Sequence, residues 1–143
     1  MNIAVRYQSR NGNTKAAAEA IAEAAGVSAL PIAVPMDGYT DILFVGGGVY
    51  MWDIDKSLAD FLCGLSKDKI GRIAAFSTTG IMTTAVSRIC EYAEKAGIPV
   101  SRHTLCLKML ARGHSALGLK GGDLTAKQIS EAHSFAKKVL ADA

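Results

Sequence analysis

Ser9-Arg10-Asn11-Gly12-Asn13-Thr14 lies between the apolar run Ile3-Ala4-Val5, followed by Tyr7, and an alanine-rich stretch that ends at Gly26. Its reading decides the fold. Thr14 to Ala25 reads as a helix because alanine dominates it and glycine follows it. The order is therefore strand, polar loop, helix. A helix that opens on such a loop suits an anion. Its first backbone N–H groups have no intrahelical acceptor, and the positive end of its dipole points at the same spot. Ser9 and Thr14 supply hydroxyl donors, Asn11 and Asn13 supply amide donors, and Gly12 lets the backbone come close. The expected ligand group is a phosphate.

Working outward, apolar β-rich runs alternate with helical patterns. Strands are expected near 2–7, 28–34, 41–46, 72–77 and 99–108, and helices near 14–25, 55–65, 82–96 and 125–141. Leu58, Phe61, Leu62 and Leu65 share one helical face, as do Val86, Ile89, Cys90 and Ala93. Ile129, Ala132, Ala136, Val139 and Leu140 do the same in the last helix, where Thr125 and Gln128 form a capping box. Alternation of this kind builds right-handed βαβ units and a mostly parallel sheet covered on both faces. Ile42-Leu43-Phe44-Val45 and Ile73-Ala74-Ala75-Phe76 are apolar at every position, as buried parallel strands are. Pro31 places the second strand at an edge, and the link of about 35–40 to the third strand is too short for a full helix.

The 143 residues suggest one domain, 1–143, and half of them are apolar, enough for a sizeable core. No apolar run reaches membrane-spanning length, and the start of the chain lacks a signal-peptide layout. Cys63, Cys90 and Cys106 show no paired spacing, which suits a reducing cytoplasm, and they are expected to be small buried hydrophobes. A net charge of +3 with mixed signs does not argue for nucleic acid. His103, His114 and His133 have no metal-ligand spacing. Cys106 to Arg112 matches the Cys-x5-Arg spacing of tyrosine phosphatases, but bulky residues intervene where that chemistry needs small ones, and the cysteine falls in an expected strand.

In an open α/β sheet the ligand sits beyond the C-terminal ends of the strands, where strand order reverses. Three loops should meet there: 9–14, 47–54 and 77–81. The second offers Tyr50, Met51 and Trp52, large apolar groups not needed for packing in a loop; the third offers Ser77, Thr78, Thr79 and Gly80. A phosphate site beside an aromatic platform and a polar backbone edge suits a nucleotide-like ligand with a planar ring.

Those loops, in that order, resemble the flavodoxin family. Tyr7, Ser9, Gly12, Thr14 and Ile21 fit its phosphate-loop pattern. Gly46-Gly47-Gly48-Val49-Tyr50 and Phe76-Ser77-Thr78-Thr79-Gly80 resemble the flavin loops of its short-chain members, and Ala111-Arg112-Gly113 fits the same subgroup. The resemblance covers nearly the whole chain. It implies a three-layer sandwich with a five-stranded parallel sheet of order 2-1-3-4-5, and FMN bound for electron transfer between redox partner proteins or to a small-molecule acceptor, in a monomer or weak homodimer. Ser9, Asn11, Gly12, Asn13 and Thr14 would bind the FMN phosphate, with Arg10 near it. Val49, Tyr50, Met51 and Trp52 would line one face of the isoalloxazine, and Thr78, Thr79 and Gly80 the other side and the pyrimidine edge. Gly46 to Gly48 would allow a peptide flip beside the flavin, or simply a turn.

The chain departs from the pattern in places. Arg6 stands where the family prefers an apolar strand residue, and Asn11 where a second hydroxyl is usual. The 77–81 loop has no aromatic ring, and the chain is slightly basic where the electron carriers of the family are strongly acidic. The ring-free loop keeps a second function in view, a flavin-dependent reductase or oxidase of a quinone or porphyrinogen. A cofactor-free binding module is the third.

Overall fold

In the computed structural model, which describes residues 1–50, 53–79, 84–109 and 124–143, β1 (Ile3–Tyr7) runs through the 8–12 turn into α1 (Asn13–Ala25). There follow β2 (Ala29–Pro31), β3 (Ile42–Gly47), β4 (Val49–Tyr50), β5 (Asp53–Ile54), α2 (Lys56–Cys63), β6 (Ile73–Thr79), α3 (Thr84–Lys95), β7 (Leu105–Lys108) and α4 (Ala126–Ala141). Five strands form one parallel sheet in the order β2-β1-β3-β6-β7. The expected order 2-1-3-4-5 numbered five strands. A separate antiparallel hairpin, β4–β5, stands between β3 and α2 and shifts the numbers of the last two. Pro31 does sit on an edge strand, β2, where its missing N–H breaks no ladder.

The apolar runs are apolar throughout because both faces of the sheet are covered. Along β3, Ile42 and Phe44 pack with α1 and α4, while Leu43 and Val45 pack with α2 and α3. Ala74 and Phe76 against Ile73 and Ala75 repeat this on β6. Phe44 meets Phe135 of α4 edge-on, with ring centroids 5.7 Å apart. Alanine serves α1 twice. It favours the helix, and Ala17, Ala18, Ala20 and Ala22 are small enough to let α1 lie close on its neighbours around fully buried Ile21. Burying that isoleucine contributes about 1.5–3 kcal/mol.

Four expected elements end elsewhere. The 28–34 strand stops at Pro31, where Val34 N donates back to Pro31 O at 3.0 Å and turns the chain. The 99–108 strand is reduced to Leu105–Lys108 and a bridge from Val100 to Ile73, because His103 N pairs with Ser101 Oγ instead of continuing the ladder. The 47–54 loop is the β4–β5 hairpin, and the third loop begins later than expected, since Ser77, Thr78 and Thr79 still belong to β6. The short link from β2 to β3 carries no helix. Arg6 fills that gap. Its guanidinium, buried with its strand, donates to Val34 O and Pro35 O of the link and to Val5 O, each at 3.1 Å.

Candidate functional site

The site builds from β1. The chain leaves β1 at Tyr7, and Gln8 N donates to Gly46 O of the next strand, so the loop starts from a fixed point. Gly12 then adopts φ 95°, a left-handed conformation that glycine takes at no steric cost. That turn puts Gly12 at the N-cap of α1, and its carbonyl accepts from Ala16 N at 3.0 Å. No side chain caps the helix. Instead, loop side chains serve the loop's own backbone: Gly12 N donates to Ser9 Oγ at 3.1 Å and Asn13 N to Asn11 Oδ1 at 3.2 Å. Ser9 and Asn11 thus occupy the positions that oxygens of an anion take at a helix N-terminus.

Thr14 is buried, and its Oγ1 lies 2.7 Å from Thr78 Oγ1 on β6, one hydroxyl donating to the other. This bond joins two of the three sequence-predicted loops across the sheet. Ser77 and Thr79 are buried beside Thr78, and Thr79 O accepts from Met109 N at the end of β7. Arg10 reaches the residue that follows the remaining loop, 47–54. Its Nε and Nη2 both donate to Asp55 Oδ2, at 3.1 and 2.7 Å. Asp55 is the N-cap of α2 and accepts from Ser57 N and Ser57 Oγ. The Ser57 hydroxyl, Arg10 and the Ser57 N–H together pull the Asp55 carboxyl down from 3.8 to about 2. Asp55 was not among the expected site residues; an aspartate just before an apolar-periodic helix is a local signal for a cap, and nothing local signals the anchor of Arg10.

Val49 leans on the α2–α3 side of the core, paired with Ile54 across the hairpin. Tyr50 opens the hairpin turn opposite Asp53. Asp53 in turn accepts from Arg88 of α3 at 3.0 Å, which ties the hairpin to that helix. Met51, Trp52 and Gly80 lie outside the described residues, as do Arg112 and the Ala111-Arg112-Gly113 segment. Gly46 and Gly47 are extended residues of β3 and are glycine for lack of room. A Cβ on Gly46 would stand 2.4 Å from the Phe76 ring, and one on Gly47 2.5 Å from Leu58 Cδ2.

β1, β3 and β6 all end at this place, and the chain turns from β1 outward to β2 and then back to β3 on the other flank. The site is a strand-order reversal, the position where open α/β sheets bind ligands. With the four helices of the described residues on this sheet, that topology decides the comparison. The chain has the flavodoxin fold. It superposes on an archaeal flavodoxin with a TM-score of 0.78 at 22% identity, covering 99% of this chain and 98% of that one. Oxidised flavodoxin 2 from Bacillus cereus gives 0.74 at 16% identity, with each chain fully covered. The rubredoxin oxygen:oxidoreductase of Desulfovibrio gigas gives 0.72 at 15% identity, and there 99% of this chain corresponds to 35% of a longer one. No protein-family model matches the chain, and no curated protein matches its sequence.

Other chemistries find less in this flavodoxin-fold chain. Among the described residues no group of three or more His, Cys, Asp or Glu could hold a metal ion, and no helix is long and apolar enough to cross a membrane. Burial pushes the Cys106 thiol up, more than Lys108 pulls it down, which opposes the thiolate a phosphatase needs. Cys63 departs from the expectation of buried cysteines and is exposed in the last turn of α2.

Proposed function

We propose that this protein binds FMN at the C-terminal ends of β1, β3 and β6 and carries electrons between redox partners. The observation that supports this most is the buried Thr14–Thr78 hydroxyl pair. It fixes the phosphate-type loop and the end of β6 to each other, as a site that spans both needs.

The residues suit the group. Ser9 Oγ and Asn11 Oδ1 already fill anion positions on the loop N–H groups, and each can rotate away to leave those donors for phosphate oxygens. Gln8 Oε1 is buried with no hydrogen-bond partner among the described residues, at the mouth of the same loop. An orphaned acceptor of this kind is costly unless a ligand donor meets it, and FMN has ribityl hydroxyls to offer. Ser9, Asn11, Gly12, Asn13 and Thr14 would hold the phosphate. Arg10, held by Asp55, keeps a positive charge on the loop. Val49, Tyr50, Met51 and Trp52 would lie on one side of the ring system, and Thr78, Thr79 and Gly80 on the other. The bound flavin supplies the electron chemistry, and the chain supplies position and electric field.

Titration of flavin-free protein with FMN tests this. FMN fluorescence is quenched with a Kd at or below about 1 μM, near −8 kcal/mol. Riboflavin, which lacks the phosphate, binds at least about tenfold more weakly. Unquenched fluorescence at micromolar protein, or equal affinity for the two flavins, defeats the reading.

A further inference from the structure

At the loop-bearing end, where β1, β3 and β6 stop, one buried acceptor is left over. Gln8 is the first residue after β1. Its backbone has a structural task, since Gln8 N donates to Gly46 O at 3.0 Å. Its amide oxygen has none. Although the residue as a whole is half-buried, Gln8 Oε1 is closed off from solvent and accepts no hydrogen bond. Its loop neighbours are engaged: Ser9 Oγ accepts from Gly12 N and Asn11 Oδ1 from Asn13 N. His133 Nε2, another buried polar atom without a hydrogen bond, still has the Glu23 carboxylate 3.2 Å away. Gly47 locates the orphan. A Cβ built there would stand 3.8 Å from both Gln8 O and Gln8 Oε1, and 2.5 Å from Leu58 Cδ2 of α2. The oxygen therefore lies beside the end of β3, where the 9–14 loop and the 47–54 segment both begin. An acceptor kept there unmet costs stability. Nothing in the fold calls for an amide: an apolar side chain of the same length would fill the space without that cost.

We infer that Gln8 is a specificity-determining residue of this site, its amide oxygen a preset acceptor for a hydroxyl on the chain that links the ligand's phosphate to its ring. The inference rests on the FMN reading above and names the side chain that selects the linker. A ligand with its phosphate on the 9–14 loop and its ring along the 47–54 segment runs its linker past the place where the two begin, and Oε1 sits there. In FMN that linker is the ribityl chain, which carries hydroxyl donors. A buried acceptor discriminates sharply, because an analogue without the donor leaves it unpaired. The same asymmetry gives the glutamine opposite effects in the two forms of the protein. It strengthens the hold on FMN and weakens the flavin-free fold.

The test pairs Gln8→Met, which keeps the length and removes the acceptor, with an FMN analogue in which a plain pentyl chain replaces the ribityl chain and keeps the phosphate. FMN and the analogue are each titrated into flavin-free parent and variant and followed by quenching of flavin fluorescence. The parent should bind FMN more tightly than the analogue. Gln8→Met should shrink that preference at least about fivefold, which isolates the contact as a double-mutant cycle does. Without flavin, Gln8→Met should melt about 2 °C or more above the parent. Gln8→Leu repeats both readings with a shorter apolar side chain. A parent with no preference for FMN, or a preference that survives in both variants, overturns the assignment. So do variants that melt below the parent, since the amide then serves the fold. A parent that binds neither ligand removes the FMN reading and this assignment together; a parent that binds FMN beside variants of unchanged preference removes the assignment alone.

Discussion

Phe76 leaves no room beside Gly46, and that contact sets a sharp expectation at the residue scale. Gly46→Ala would drive a Cβ into a fully buried ring from 2.4 Å, so it should destabilise by about 1–3 kcal/mol or more in urea unfolding. A neutral result would mean that β3 and β6 can part, and that Gly46 serves some need other than space. The Thr14–Thr78 pair makes a second. Thr14→Val keeps the shape and leaves Thr78 with an unpaired buried hydroxyl, which should cost roughly 1–3 kcal/mol; Thr14→Ser should recover most of it. Asp55 gives a pH dependence whose sign follows from its depressed carboxyl. A group held near 2 when folded and near 3.8 otherwise adds stability above about pH 4, and that share is lost as pH falls from about 4 toward 2. Asp55→Asn keeps an N-cap acceptor without the charge, so its unfolding free energy should fall less steeply over that window than the parent's. Equal slopes would show that the link to Arg10 carries no acid-sensitive stability. None of these three contacts was legible in the chain alone. Ser9, Gly12 and Thr14 announced the loop through local spacing, but the partners Phe76, Thr78 and Asp55 lie far off in sequence.

At the scale of elements, helices were read to within two or three residues, because periodicity, alanine content and the Thr125–Gln128 box are local signals. Strand ends were read less well, because what ends a strand is its neighbour. The second strand stops where Val34 turns back on Pro31, and the last loses its middle to a Ser101–His103 turn. The β4–β5 hairpin was hidden because two-residue strands carry no periodicity. The helix-free link from β2 to β3 explains why Arg6 stands where an apolar residue was expected. A helix would have satisfied its own carbonyls; this link leaves Val34 O and Pro35 O for a side chain to meet. Burial lowers the Arg6 pKa, a sign of the desolvation the arrangement costs. Arg6→Met keeps length and removes the donors. It should destabilise by about 2 kcal/mol and speed amide exchange in residues 32–40 more than in β3. Unchanged exchange there would mean that the link is held by its apolar contacts alone.

At the scale of the whole molecule, the charge distribution predicts the behaviour of a bound flavin. Positive charge near a redox group favours its reduced, more negative form, and among the described residues Lys15, Lys108 and Lys127 stand exposed at the loop-bearing end while Asp53 and Asp55 there are paired with arginines. The midpoint potential of bound FMN should therefore be less negative than that of an acidic flavodoxin, and it should fall as salt is added. A spectroelectrochemical titration at two ionic strengths checks both; an equal or lower potential, or no salt dependence, contradicts the electrostatic account. The sequence by itself determined the alternating α/β architecture, the edge position of the second strand and the strand–turn–helix form around the 9–14 loop. Each follows from periodicity, a proline or a helix start, interactions that act within a few residues. Only the tertiary structure decided that Thr14 meets Thr78, that Asp55 holds Arg10, that Gly46 yields to Phe76, and that Lys15, Lys108 and Lys127 share one end. Those are matters of which strands become neighbours and which way their helices return, and burial of two apolar sheet faces sets that across the whole chain.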